Sequence, residues 1–406
     1  MKRPRCFFIS VLAVVAALAS ACSSATAPTT PVDPVLVGIF LAPRDTSIPQ
    51  KHSVQLRLTA LDSAGNEIEN VSVRPTYTTN NPALVSVSPQ GLVQSLGPAG
   101  HATITAHIGD FGDTVSIFVF DSSLAGRVPL TSRAYAVAIS SAGVVYVGQP
   151  DLGRLIRADL PNMAFTTSVT VGDTPTEVAF NSTGTKAYVT NQFSQNVGVI
   201  DAASNTQTAT VPVAGNPFAV IVAPGDSIVW VTTTADSLFG INASSLQIIH
   251  RLQLPIISNG FAIRDSLLYV STRDAGIVTE INLKTTTVLR TLAVGGAPQG
   301  IVVSPDGTQL YIANENATLQ FWSLTSNSSL GTTSLAGRGF GLARRPTDGN
   351  LYVTTLEAGQ VQVVDPTSHA IVQVINVGGI PRRIAFTADG RTGVVANEAS
   401  WVDFLR

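Results

Sequence analysis

Through the second two-thirds of the chain an aromatic residue returns about every forty positions: Tyr146, Tyr188, Trp230, Tyr269, Tyr311 and Tyr352, with Val394 in the seventh place. The intervals are 42, 42, 39, 42, 41 and 42 residues. A unit of that length cannot bury an apolar face alone and must stack on its copies. Within each interval, apolar and polar residues alternate in short runs between Gly, Pro, Asn and Asp clusters, which is the period-two pattern of strands. Each unit reads as an inner strand, a turn such as Ser304-Pro305-Asp306-Gly307 or Ala388-Asp389-Gly390, the aromatic strand, a third strand and a fourth. The third strands end in Asp159, Asp201, Asn242, Asn282 or Asp365, residues suited to bonding turn amides. Four-stranded units repeated at this period predict propeller blades.

Counting strands predicts how the ring closes. The seventh unit, Pro381 to Arg406, holds only three strands. The segment Gly126-Arg127-Val128-Pro129-Leu130 matches the fourth strand Ala209-Thr210-Val211-Pro212-Val213 and has no third strand of its own. It is expected in the last blade beside the C-terminal strand, where it removes an open sheet edge. Upstream, residues 35–121 alternate differently: Val54, Leu56, Leu58 and Ala60 read as one strand, Ala102, Ile104 and Ala106 as another, and Val115, Ile117 and Val119 as a third. These runs predict a β-sandwich of about seven short strands. The expected fold class is all-β throughout, a small sandwich followed by a seven-bladed propeller over 122–406 closed by an N-terminal strand.

Particular motifs add family resemblances. Tyr188-Val189-Thr190-Asn191, with the variants Tyr311-Ile312-Ala313-Asn314, Tyr352-Val353-Thr354-Thr355 and Val394-Val395-Ala396-Asn397, resembles the YVTN-repeat propeller family. So do Pro175-Thr176-Glu177-Val178-Ala179-Phe180 and Pro298 to Gly307. The motif consists of packing and turn residues, so the resemblance implies a fold and not an activity; related families include lactonases and quinoprotein-like dehydrogenase chains. The 35–121 segment is similar to bacterial Ig-like domains of group 2 through Val37-Gly38-Ile39, Asp62-Ser63-Ala64-Gly65, Asn81 to Val87 and Gly100 to Ala106, with Tyr77 where many relatives carry Trp. That resemblance implies a spacer or adhesion module.

The first 21 residues read as an export signal. Lys2, Arg3 and Arg5 precede the apolar run Phe7 to Leu18, too short to span a membrane as a helix. Leu18-Ala19-Ser20-Ala21-Cys22 resembles a bacterial lipobox, although Leu18 stands four rather than three residues before the cysteine. The resemblance implies a lipid on Cys22; the alternative is ordinary secretion with cleavage near Ala21. Cys6 is the only other cysteine, so a mature chain has no internal disulfide. Residues 22–34 then form a polar tether. The expected address is the cell envelope, the lipid holding the protein to a bacterial membrane.

Charge narrows the partners. The chain has 24 basic and 26 acidic side chains, a net charge of −2, and only 12% charged residues. Nucleic acid, which selects basic surfaces, is not an expected partner. His250 and His369 lie in different blades and His101 and His107 are about 20 Å apart along one strand, so no metal site is expected. No cofactor is expected either, since no cysteine remains for haem or clusters and no phosphate loop precedes a helix.

One cluster rises above this background. A propeller brings equivalent positions of its inner strands to one mouth. Glu177 and Arg383 stand where other blades carry Ala136, Ala219, Gly260, Gly300 and Gly341, with Tyr135, Phe218, Phe340 and Arg382 adjacent. These six residues predict either an aromatic-walled funnel for a polar or anionic ligand, or a rim held by a Glu–Arg pair. The expected function is a non-catalytic binding module for an unknown protein, glycan or small molecule. A lactonase-like hydrolase at the funnel and a structural envelope protein are the alternatives. Cys22→Ser is expected to move the protein from the membrane to the soluble fraction after cell lysis, and a variant that stays with the membrane contradicts the lipid anchor.

Overall fold

The computed structural model describes residues 35–406 apart from 45, 70–72, 98–99, 121–122, 161 and 256. The leader, Cys22 and the 22–34 tether lie outside the described residues. Those described form strands and turns, with a single 3-10 turn at Pro150–Leu152 and no α-helix among them.

Between Gly38 and Phe120 the described residues form nine strands in three sheets, rather than the seven strands predicted. One of the two additional strands has a local cause. The run expected as one strand through Val54 and Ala60 breaks at Leu56 into Ser53–Gln55 and Arg57–Leu61. The first piece pairs with Leu92–Ser95 and the second with Gly38–Ala42, so the chain changes sheets while its alternation continues. Leu56 is buried at the crossing, and its N–H donates to Gly91 O at 2.9 Å. Thr46–Pro49 runs parallel to Phe111–Phe120, which continues to Gly100–Ile108 and Thr76–Thr79. Leu41, Leu56, Val93, Ile104 and Ile117 meet in the core, with Tyr77 packed against it. His101 and His107 are exposed on the opposite face of their strand.

The remainder contains seven four-stranded antiparallel sheets. Their innermost strands are Val137–Ile139, Pro175–Phe180, Pro217–Val222, Ser258–Arg264, Pro298–Val303, Gly339–Arg344 and Pro381–Phe386. Each touches the next, and Val137–Ile139 touches Pro381–Phe386, so the inner strands make a closed cycle around an axis. This is a β-propeller. Apolar side chains of adjacent sheets interleave, as Tyr188, Val197 and Val199 do with Val220, Val229 and Val231. Each such side chain contributes about 1.5–3 kcal/mol on burial.

The repeated motif acts between blades as well as within them. Its hydroxyl position reaches the inner strand of the following blade: Thr190 Oγ1 donates to Phe218 O at 2.9 Å, Ser271 Oγ to Gln299 O at 2.7 Å and Thr354 Oγ1 to Arg382 O at 2.7 Å. Its asparagine holds the loop leading into the blade. Asn314 Oδ1 accepts from Ala297 N at 2.6 Å while its Nδ2 donates to Gly295 O at 3.0 Å. Asn397 does the same with Ile380 N and Gly378 O. The glycines of the inner strands answer a close approach: a Cβ on Gly260 would stand 2.2 Å from Gln299 O, and one on Gly341 would stand 2.2 Å from Arg382 O. At these two positions only a residue without a side chain lets the neighbouring strands approach so closely.

The last sheet draws on both ends of the propeller segment. Its order is Leu124–Pro129, Trp401–Leu405, Gly393–Asn397, Pro381–Phe386. Gly126 faces Phe404, Val128 faces Val402 and Pro129 faces Trp401 in antiparallel register. A salt bridge fastens the seam, with Arg127 Nε 2.7 Å from Asp403 Oδ1. The same guanidinium lies 4.3 Å over the Trp401 ring and donates to Val377 O. Asp403 is buried and also accepts from Trp401 Nε1 at 2.9 Å. Burial raises the pKa of this carboxyl, while the bond to Arg127 pulls it back. Removing Arg127 alone leaves a buried, unpaired carboxylate, so Arg127→Ala is expected to cost about 3 kcal/mol, the low end of the range because the arginine is partly exposed. Adding Asp403→Asn removes the charge and is expected to restore most of that loss. In Arg127→Ala the native state holds more protons than the unfolded chain, so stability falls as pH rises through the raised Asp403 pKa. Equal denaturant midpoints for the single and double variants contradict this account.

Candidate functional site

Where the inner strands start, the pairing with their neighbours is irregular. The register slips between Pro175 and Glu177, Pro217 and Val220, Pro298 and Ile301, Gly339 and Leu342, and Pro381 and Ile384. Bulges of this kind re-aim side chains. Here they fall on the residues that form two successive layers at one mouth of the axis. The outer layer contains Tyr135, Thr176, Phe218, Asn259, Gln299, Phe340 and Arg382, and the inner one Ala136, Glu177, Ala219, Gly260, Gly300, Gly341 and Arg383.

The structure brings all six singled-out residues together, but not as the walls of an open funnel. Tyr135 comes from the first sheet, yet its ring meets Phe218 of the third at 6.4 Å and Phe340 of the sixth at 6.0 Å, both edge-on. The aromatic residues therefore cap the axis. Arg382 extends the cap, its guanidinium carbon 4.6 Å from the Phe340 centroid and 5.5 Å from that of Tyr135. The sequence supplied equivalence of position, whereas the direction and length of Tyr135 decide whether the mouth is lined or covered.

Beneath the cap is an axial cavity of about 220 Å³. Glu177 and Arg383 line it with Ala219, Gly260, Gly300 and Gly341, and Val137, Ile301 and Ile384 lie further in. Glu177 Oε2 stands 2.6 Å from Arg383 Nη2, both side chains being largely buried. That distance makes an ion pair, but the N–H groups are not aimed at the carboxylate: Arg383 Nε and Nη2 are both buried without a hydrogen bond. Burial pushes the Glu177 carboxyl above the usual range, an effect the Arg383 charge opposes. Burial likewise raises the Tyr135 hydroxyl, which stays protonated at neutral pH.

Sequence reasoning missed the partners around this centre. Glu398 lies 2.9 Å from Arg382 and 3.5 Å from Arg133, and Arg133 pairs with Asp151 at 2.7 Å. On the other side Asn259 Nδ2 donates to Gln299 Oε1 at 3.0 Å, and Gln299 Nε2 to Glu315 Oε1 at 2.6 Å. Glu315 also accepts from Arg273 Nη2 at 3.0 Å, and Arg338 pairs with Glu357. A signal was present: Glu315 and Glu398 directly follow the asparagine that ends the motif, which places them on the loops around the mouth. The histidines lie elsewhere. His250 stacks on Trp230 at 5.5 Å and His369 on Phe321 at 3.7 Å, both outside the cavity lining.

The fold thus defines a β-propeller with a capped, charge-paired axial mouth. No family model and no curated protein matches the chain. Among solved structures, 1642 chains match, a breadth that marks a common scaffold and singles out no activity. One is hydrazine synthase of Kuenenia stuttgartiensis, similar over 70% of this chain and 97% of that one, with a TM-score of 0.63 and 15% identity. A likeness at that identity speaks to the propeller fold alone.

Phe340 is nearly fully buried and carries Tyr135 and two guanidiniums on its faces and edge. Phe340→Ala is expected to lower stability by about 3 kcal/mol in urea unfolding, as removal of a packed ring does. A loss under about 1 kcal/mol would mean that the ring is not packed as described.

Proposed function

We propose that the chain is an exported, lipid-anchored cell-envelope protein whose propeller is a non-catalytic binding module. In this reading the propeller is seven-bladed and of the YVTN type. A bacterial Ig-like domain over 35–121 and the 22–34 tether space it from the membrane that holds the lipid on Cys22. The ligand, a small molecule, glycan or protein segment, engages the axial mouth.

The observation that carries the binding reading is the buried Arg383 edge at the axial cavity, where Nε has no acceptor and Nη2 meets Glu177 without forming a hydrogen bond. A buried donor left unmade costs about 1–3 kcal/mol, which a ligand recovers by accepting from it. A second feature favours binding over catalysis. The carboxylates of the mouth stand against guanidiniums, Glu177 with Arg383, Glu398 with Arg382, Glu315 with Arg273 and Glu357 with Arg338. A carboxylate held in an ion pair is a poor general base.

The test is a thermal-shift screen of the purified chain against a panel of glycans and small metabolites. For any ligand that stabilises the protein, Arg382→Ala and Arg383→Ala are each expected to weaken binding by about 1.5–3 kcal/mol, the range of charge-assisted bonds. Binding unaffected by both variants contradicts the axial site. Turnover of a lactone panel that disappears in Glu177→Gln contradicts the non-catalytic reading.

A further inference from the structure

The axial cavity carries its own anion. Glu177 enters from Pro175–Phe180 and meets Arg383 from Pro381–Phe386, the two inner strands that flank Val137–Ile139 in the ring. The pair is close at 2.6 Å yet misaligned, and it leaves Nε and Nη2 of Arg383 without hydrogen bonds. Those two nitrogens form the edge of a guanidinium that accepts a carboxylate in two-pronged fashion. The other inner strands offer only Ala136, Ala219, Gly260, Gly300 and Gly341 at this level, which leaves room and no competing charge. The charged and titratable groups around Glu177 are Arg383, Arg382 from the same strand, Tyr135 above them and Glu398 behind Arg382.

We propose that this cavity binds a small carboxylate, which displaces Glu177 from the Nε–Nη2 edge of Arg383 and takes up one proton onto Glu177 as it does so. The inference rests on the binding reading and specifies its ligand class. The exchange balances in charge: one carboxylate enters, one is neutralised, and Arg383 keeps a single counter-ion. It also follows from cost, because two carboxylates and one guanidinium in a largely buried site leave an unpaired charge. The raised Glu177 carboxyl is the group that accepts the proton. Binding therefore strengthens as the pH falls.

The probe is trifluoroacetate, a carboxylate that stays ionised at all working pH values, followed by its fluorine NMR signal with the full chain. As the pH is raised from about 5 to about 8, the wild-type affinity is expected to fall at least about tenfold. Glu177→Gln keeps the shape, removes the internal competitor and is expected to bind with nearly equal affinity at both pH values. Arg383→Gln is expected to lose binding. Arg383→Lys, which keeps the charge without the planar edge, is expected to bind at least about fivefold more weakly. Circular dichroism confirms that each variant is folded. Equal pH dependence in wild type and Glu177→Gln overturns the exchange, and undiminished binding in both Arg383 variants overturns the site. A wild-type chain that binds no trifluoroacetate at any pH overturns the carboxylate class alone. The broader binding reading fails separately, when Arg382→Ala and Arg383→Ala leave the ligands of the wider panel unaffected.

Discussion

The pairing of Leu124–Pro129 with Trp401–Leu405 holds the first and last blades together, and the axial mouth depends on it. Sheets arranged in a circle leave two edges unless one end of the chain crosses to the other. Here the crossing is made by backbone pairing, by the Arg127–Asp403 bridge, and by an apolar cluster in which Val137, Val145 and Val147 pack with Val394, Val402 and Phe404. The seam is also where the site is richest. Arg382 and Arg383 belong to the last blade, Tyr135 and Arg133 to the first, and Glu398 links Arg382 to Arg133 across the join. A ring open at this point would separate the guanidiniums from the aromatic cap.

Convergence toward the axis sets the chemistry that can occur there. Inner strands close enough to exclude a Cβ at Gly260 and Gly341 leave little room for side chains. The two long residues at this level, Glu177 and Arg383, therefore meet each other at the wall of a small cavity. Their low-dielectric surroundings strengthen the attraction and raise the cost of leaving either group unpaired. The same crowding explains why the ring of Tyr135 reaches across to Phe218 and Phe340.

Much of this was legible in the sequence, because a propeller turns period into position. The interval of about forty residues marks the second strands, and counting back from each aromatic anchor gives the residues at the mouth. That is why the sequence alone groups six residues spread from Tyr135 to Arg383. Other features depend on directions that a pattern does not carry. Alternation through Val54 to Ala60 is unbroken, so nothing in it records that the chain changes sheets at Leu56. Equivalent positions say that Tyr135 is at the mouth, but not that its side chain covers it. The arginine partners on the loops were missed because they lie outside the inner strands, although the acidic residue after Asn314 and Asn397 pointed to two of them.

The most direct test of the account is native-state amide hydrogen exchange across the seam. Leu130 N donates to Ser400 O at 2.8 Å, and the strand before it is held by Trp401–Leu405. If closure organises the ring, amides of Leu124–Leu130 exchange with the same opening free energy as those of Trp401–Leu405 and the inner strand Pro381–Phe386, because they open as one unit. Fast exchange through Leu124–Leu130 while Pro381–Phe386 stays fully protected would show that the mouth persists without the seam, and would contradict the account.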